Sequence, residues 1–128
     1  MPPRKSDVLK AFAGHVLELP GDYLVVGTED GPRCDISAVW GPDADPEQSL
    51  ITIREPIPAP WLWEGVLDLL TRFDVFMMVP DAPNAWGAVA RTDVTVPPDV
   101  RGSYAFAQVL SAQDLIGAFQ NPPDAALT

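Results

Sequence analysis

Residues 59–80, APWLWEGVLDLLTRFDVFMMVP, constrain the fold more than any other part of the chain. They hold two of the four tryptophans, two of the five phenylalanines and two of the three methionines. The first part of this stretch predicts a helix over residues 61–73, because its polar side chains recur at helical spacing and everything between them is apolar or glycine. A polar stripe this narrow indicates a helix packed on more than one side. The stripe consists of Glu64, Asp68, Thr71 and Arg72.

The second part of the stretch predicts a buried strand. Residues 75–79, VFMMV, are five consecutive apolar residues bounded by Asp74 and Pro80. A run this short and continuous is typical of a strand that is covered on both faces of its sheet. The stretch therefore predicts a long buried helix that leads directly into a central strand.

Periodicity, turn residues and prolines predict the remaining elements. We expect a helix and three strands before the central helix, and two more strands and a short helix after the central strand. The order α-β-β-β-α-β-β-β-α favours an α+β fold with a single, mostly antiparallel sheet of about five to six strands and helices packed on one face. The ranges outside residues 61–79 are helix 6–19, strands 23–27, 36–40, 50–54, 85–90 and 104–110, and helix 111–119.

The length of the chain suits one globular domain. Its 128 residues lie within the commonest domain size of about 100–150 residues, and no linker or internal repeat divides them. We expect residues 1–128 to form this single domain, with residues 1–5 and 121–128 frayed.

The charge is strongly negative and unevenly distributed. The net charge is −10, and residues 18–47 contain eight carboxylates against Arg33 alone. Such a field repels phosphate groups and anionic lipid, so we expect neither nucleic-acid binding nor membrane binding. It attracts a basic protein. Ordinary solubility is the competing explanation of the same charge.

Few residues offer catalytic or metal-binding chemistry. His15 is the only histidine and Cys34 the only cysteine, which excludes a zinc site built on several nitrogen and sulfur ligands. His15 falls at the edge of the apolar stripe of the first predicted helix. Cys34 lies between Arg33 and Asp35, which act on a thiol in opposite directions, so we interpret it as a structural residue at the start of a strand.

The acidic segment GPDADPEQ only superficially resembles a calcium loop. Gln48 stands where the loop needs glycine for its sharp turn, and Arg54 stands where it needs glutamate. We therefore expect no metal and no cofactor, and we interpret the segment as an acidic surface loop that contributes to partner binding. Its carboxylates are Asp43, Asp45 and Glu47.

The tryptophans give the best indication of an interface. Tryptophan is enriched at binding hot spots. Trp61 and Trp63 are about 200° apart around a helix, so both cannot face the same core. One of them must lie against another layer or at the surface, where it could bind a partner or a second copy of the chain. Trp86 is the third candidate binding residue.

The leading hypothesis is a small acidic protein-binding module without catalysis, of the inhibitor or immunity type, that neutralises a basic protein. A small-molecule-binding domain is the alternative, with an apolar pocket. A third hypothesis is a structural or oligomeric subunit. A fourth is an enzyme built on carboxylates that no motif identifies. The residues expected to line the pocket are Met77, Met78, Trp86 and Phe106.

The beginning of the sequence, MPPRKSDVLKAF, lacks the apolar segment of a secretory signal. No apolar run approaches the roughly 20 residues that cross a bilayer. We therefore expect a cytoplasmic protein.

Overall fold

The computed structural model describes residues 5–18, 23–38, 50–80, 85–91, 93, 94, 96, 98 and 105–120. Within them the fold is α+β, as predicted, with one mostly antiparallel sheet. The helices are α1 (Lys5–Ala11), α2 (Pro60–Arg72) and α3 (Ala112–Gln120). The strands are β1 (Val16–Glu18), β2 (Tyr23–Gly27), β3 (Arg33–Ala38), β4 (Leu50–Arg54), β5 (Phe76–Val79), β6 (Trp86–Val89) and β7 (Ala105–Gln108).

The described strands form one seven-stranded sheet, and their order in space follows their order in the sequence. The pairs β4–β5 and β6–β7 are parallel, and the other four are antiparallel. Antiparallel neighbours can be joined by a short turn, whereas parallel neighbours need a crossover. Helix α2 makes the first crossover, and the segment between β6 and β7 makes the second.

The strand count exceeds the predicted five to six because the first helix is shorter than predicted. The range 6–19 is wrong: α1 ends at Ala11, and Gly14 adopts a φ of 87°, which suits glycine and reverses the chain. The residues that follow form β1, in which Val16 is paired with Val26 of β2. Pairing with the sheet therefore overrides the helical spacing of the apolar residues in this region.

The main core lies between the helices and one face of the sheet. Helix α1 contributes Val8, the turn after it contributes Phe12, and the sheet contributes Ile51 and Ile53, whose neighbours along the strand are less buried. This alternation is the period of two that turns one face of a strand inward. All the buried hydrophobic residues of α2 and the one of α3 belong to the same cluster, which places the helices on one face of the sheet.

The central strand β5 is buried along its whole length, as the apolar run predicts. Met77 and Val79 face the main core. Phe76 and Met78 face the opposite side of the sheet, where they form a second, smaller cluster with Val94 and other residues. Both sides of β5 are therefore covered by apolar side chains.

The short helix α3 begins with two hydrogen bonds to side chains of the segment Ser111-Ala-Gln-Asp114. The Asp114 backbone N–H donates to the Ser111 hydroxyl over 3.2 Å, and the Leu110 backbone N–H donates to the Asp114 carboxylate over 2.8 Å. The first bond caps an N–H group in the first turn of α3, and the second holds the Leu110 N–H, which precedes the helix.

Candidate functional site

The two tryptophans of α2 point in different directions, as their spacing predicts. Trp63 is fully buried, and its indole N–H donates to the backbone carbonyl of Ile57 over 3.1 Å. Its ring also lies 5.3 Å from that of Phe119 in α3. Trp61 is partly exposed at the margin of the main core. Trp63 could contact a partner only if the core opened. Trp61 has ring surface that a partner could contact in the folded protein.

Trp61 forms a stacked pair with His15. The ring centroids are 3.9 Å apart and the ring planes are parallel. Backbone hydrogen bonds hold His15 in place: its N–H donates to the Phe12 carbonyl over 3.0 Å, and its carbonyl accepts the Gly27 N–H over 2.9 Å. His15 lies outside any helix, which corrects its predicted position on the edge of a helical stripe. The pair joins the turn after α1, the end of β2 and the start of α2.

We call this side of the molecule the hairpin end of the sheet. It carries the turn between β2 and β3, closed by a 3.1 Å bond from the Gly31 N–H to the Thr28 carbonyl. It also carries the end of β4 and the start of α2, because β4 is antiparallel to β3 and α2 follows it. Glu29, Asp30 and Glu64 are exposed here.

Trp86, the third tryptophan expected to bind a partner, is 2% exposed. Its ring packs in the main core at 6.3 Å from that of Trp63. Both rings therefore contribute to the core.

The four residues expected to line an apolar pocket lie on opposite faces of the sheet. Met77 and Trp86 belong to the main core, whereas Met78 and Phe106 belong to the second cluster. The ring of Phe106 lies over Gly87, where an added β-carbon would come within 2.5 Å of it. The backbone of the sheet separates the two pairs, so the four side chains do not share one space.

Asp43, Asp45 and Glu47 lie outside the described residues. In the sequence they fall between Ala38, at the end of β3, and Leu50, at the start of β4. Ala38 is five residues along β3 from Arg33, which corresponds to roughly 17 Å of strand. These two strand ends are therefore at the opposite end of the sheet from the His15–Trp61 pair.

The charged side chains of the described residues are all outside the core, which contains no buried polar or charged residue among them. Three arginines form ion pairs with carboxylates of the same chain: Arg33 with Glu18 at 3.7 Å, Arg72 with Asp68 at 3.2 Å and Arg91 with Asp74 at 2.9 Å. Three of the eight basic side chains in the sequence are therefore paired with carboxylates of the same chain.

Arg91 also forms an ion pair with Asp93, and this contact makes the stability of the protein depend on pH. Hydrogen bonds from Arg91 hold the pKa of Asp93 below its ordinary value of about 3.9. A lowered pKa in the fold means that the ionised carboxylate favours the native state. This contribution to stability is fully present above about pH 4 and is lost as the pH falls through the lowered pKa.

We expect an NMR titration of the Asp93 carboxyl carbon to give a midpoint below about 3.9, and Arg91→Gln to raise it towards that value. The unmodified protein, titrated under the same conditions, is the reference for Arg91→Gln. An unchanged Asp93 midpoint in the variant would contradict the assignment.

Cys34 is a structural residue, in keeping with its interpretation from the sequence. Its side chain is 1% exposed in the main core, and its thiol donates to the backbone carbonyl of Arg54 over 3.4 Å. A thiol enclosed in this way does not present a reactive sulfur to solvent.

Within the described parts of the chain, no three His, Cys, Asp or Glu side chains are placed to hold a metal ion together. No helix among the same residues has the length and apolar character needed to cross a membrane.

The sequence did not indicate that Trp61 stacks on His15, or that this pair lies at the hairpin end of the sheet. Glu64 could have been noted, because it is three residues after Trp61 on α2 and such residues are neighbours on a helix surface. The contact with His15 depends on β1 pairing with β2, and no local pattern in the sequence indicates it.

No protein-family model, curated protein or solved structure matches the chain.

Proposed function

We propose that this protein is a small acidic binding module, without catalysis of its own, whose partner is a basic protein. The observation that carries the proposal is the distribution of charge around a fully apolar core. The net charge is −10, and the described carboxylates are all outside the core while Arg33, Arg72 and Arg91 are engaged with carboxylates of the same chain. Excess carboxylates thus remain for a partner. This charge distribution suits an inhibitor or an immunity-type protein that neutralises a basic target.

Charge complementarity would act mainly on the rate of association. A surface of one sign attracts a partner of the opposite sign over about one Debye length and can raise the association rate constant by roughly 10- to 1,000-fold. The anchoring contacts would come from a partly exposed aromatic side chain, for which Trp61 is the candidate among the described residues.

The small number of exposed apolar side chains among the described residues favours this proposal over a structural subunit. Obligate interfaces resemble a domain core cut in half and need large apolar surfaces. Among the described residues Leu110 is the only large hydrophobic side chain that is exposed, at 81%. A partner that contacts the described part of the surface would therefore meet mainly polar side chains.

The test begins with proteins captured on the immobilised protein from its native source and continues with kinetics on the purified partner. We expect the triple variant Asp43→Lys, Asp45→Lys and Glu47→Lys to associate about tenfold or more slowly at low ionic strength. The difference from the unmodified protein should nearly disappear at 1 M salt, where the Debye length falls to about 3 Å.

A matched triple variant at the hairpin end, Glu29→Lys, Asp30→Lys and Glu64→Lys, changes the net charge by the same amount. The set that slows association more identifies the side that meets the partner. A partner whose association ignores salt and both sets of reversals would refute charge-driven recognition.

A further inference from the structure

The hairpin end carries both an aromatic pair and exposed carboxylates from two different elements. Glu64 is exposed and lies one helical turn after Trp61, so their β-carbons are about 5–6 Å apart. Glu29 follows Gly27, the residue bonded to His15, by two positions, so the Cα atoms of Glu29 and Gly27 are at most about 8 Å apart. Asp30 is the next residue in the same turn and is also exposed.

We propose that the His15–Trp61 pair, with the carboxylates of Glu29, Asp30 and Glu64, is the contact site for an arginine side chain of the basic partner. The inference rests on the proposed function and specifies the chemistry that the site recognises. A guanidinium group is planar, so it can lie against aromatic rings. Its five N–H donors can at the same time bind carboxylates at its edge.

Arginine fits this arrangement better than lysine. The ammonium group of lysine is compact and strongly hydrated, and it offers no flat surface to stack on an indole. A site with carboxylates alone would accept either cation, whereas the exposed part of the His15–Trp61 pair adds a contact that depends on the planar shape of the ligand.

Nearby positive charges oppose a cationic ligand, and the carboxylates outweigh them. The start of α2 carries about half a positive charge from its aligned peptide dipoles. Lys10, five residues before His15, and Arg54, at the end of β4, add one each. Glu29, Asp30 and Glu64 supply three exposed negative charges at the same end of the sheet, while Arg33 beside the turn is paired with Glu18.

The test is an NMR titration of the whole protein with three short peptides, acetyl-GRGRG-amide, acetyl-GKGKG-amide and acetyl-GEGEG-amide. We expect the arginine peptide to shift the Trp61 indole N–H and the His15 ring signals in a saturable manner. The lysine peptide should bind more weakly, and the glutamate peptide should cause no shift. The indole N–H of Trp63, which is buried and bonded to Ile57, is the internal reference.

Two variants remove separate parts of the site. Glu64→Gln keeps the shape of an exposed side chain and should weaken the arginine peptide about two- to fivefold, as expected for one exposed ion pair. Trp61→Leu should weaken it by a similar factor and abolish the preference over lysine. Asp93→Asn removes the same charge at the opposite end of the sheet, beside Asp74, and should change the affinity little.

Saturable binding of the arginine peptide that shifts residues elsewhere, with Trp61 and His15 unmoved, would overturn this site while leaving the acidic binding module intact. Equal weakening by Glu64→Gln and Asp93→Asn would also overturn it, because net charge alone would then explain the binding. Absence of any shift with either basic peptide up to millimolar concentration would overturn this site, whereas the acidic binding module is tested separately by the salt dependence of association described above.

Discussion

Replacing Trp63 with alanine is expected to lower the free energy of unfolding by about 3–5 kcal/mol, the usual cost of removing a large aromatic side chain from a core. Trp63 is fully buried and packs against the rings of Trp86 and Phe119. The substitution also removes the indole N–H that the Ile57 carbonyl accepts. Urea unfolding followed by circular dichroism measures the change without relying on tryptophan fluorescence.

Trp61→Ala is the matched control, because it removes the same side chain two residues earlier on the same helix. Trp61 is only partly buried, so we expect a loss of roughly half that of Trp63→Ala or less. Equal losses from the two variants would contradict the orientation of α2, since the helix would then bury both rings alike.

Replacing Gly65 with alanine is expected to destabilise the protein by about 1–3 kcal/mol, although alanine is the better helix former. A β-carbon on Gly65 would lie 2.6 Å from Cε1 of Phe12 and 2.8 Å from the carbonyl oxygen of Ala11. Both distances are too short, so α1 would have to move away from α2. The absence of a side chain at Gly65 is what permits the close approach of the two helices.

Gly117→Ala tests the same substitution in another helix, where space is free. No atom lies within 4 Å of the β-carbon that alanine would add to Gly117 in α3. We therefore expect this variant to gain up to about 1 kcal/mol of stability from helix propensity. A Gly65→Ala variant as stable as the unmodified protein would contradict the close contact between α1 and α2.

The strongest sequence signals predicted the centre of the fold. The polar stripe of α2 and the apolar run of β5 are local patterns, so the sequence alone located both elements within one residue at each end. The proline at the start of α2 and the capping serine before α3 are also local features that favour a helix start.

The first helix was predicted too long because its apolar residues fit two structures. Phe12 and Val16 are four residues apart, which suits a helix, yet Val16 belongs to a strand. What decides between them is the positive φ of Gly14 and the pairing of β1 with β2, a contact between distant residues. Local spacing carries no information on such a contact.

The candidate site was predictable only in part. The spacing of Trp61 and Trp63 indicated that one ring would leave the core, and Trp61 does so in part. Its stacking on His15 and its proximity to the β2–β3 turn arise from three elements that meet in space. Local patterns therefore could not indicate that Trp61 and the turn that holds Glu29 and Asp30 lie at the same end of the sheet.

The most direct test of the account is hydrogen exchange of the indole N–H groups of Trp61 and Trp63, measured by NMR on the folded protein. Trp63 lies inside the apolar core, and Trp61 is partly exposed at its margin. We predict exchange at Trp63 that requires global unfolding, and exchange at Trp61 that is faster by orders of magnitude. Rapid exchange at both groups, or slower exchange at Trp61 than at Trp63, would contradict it.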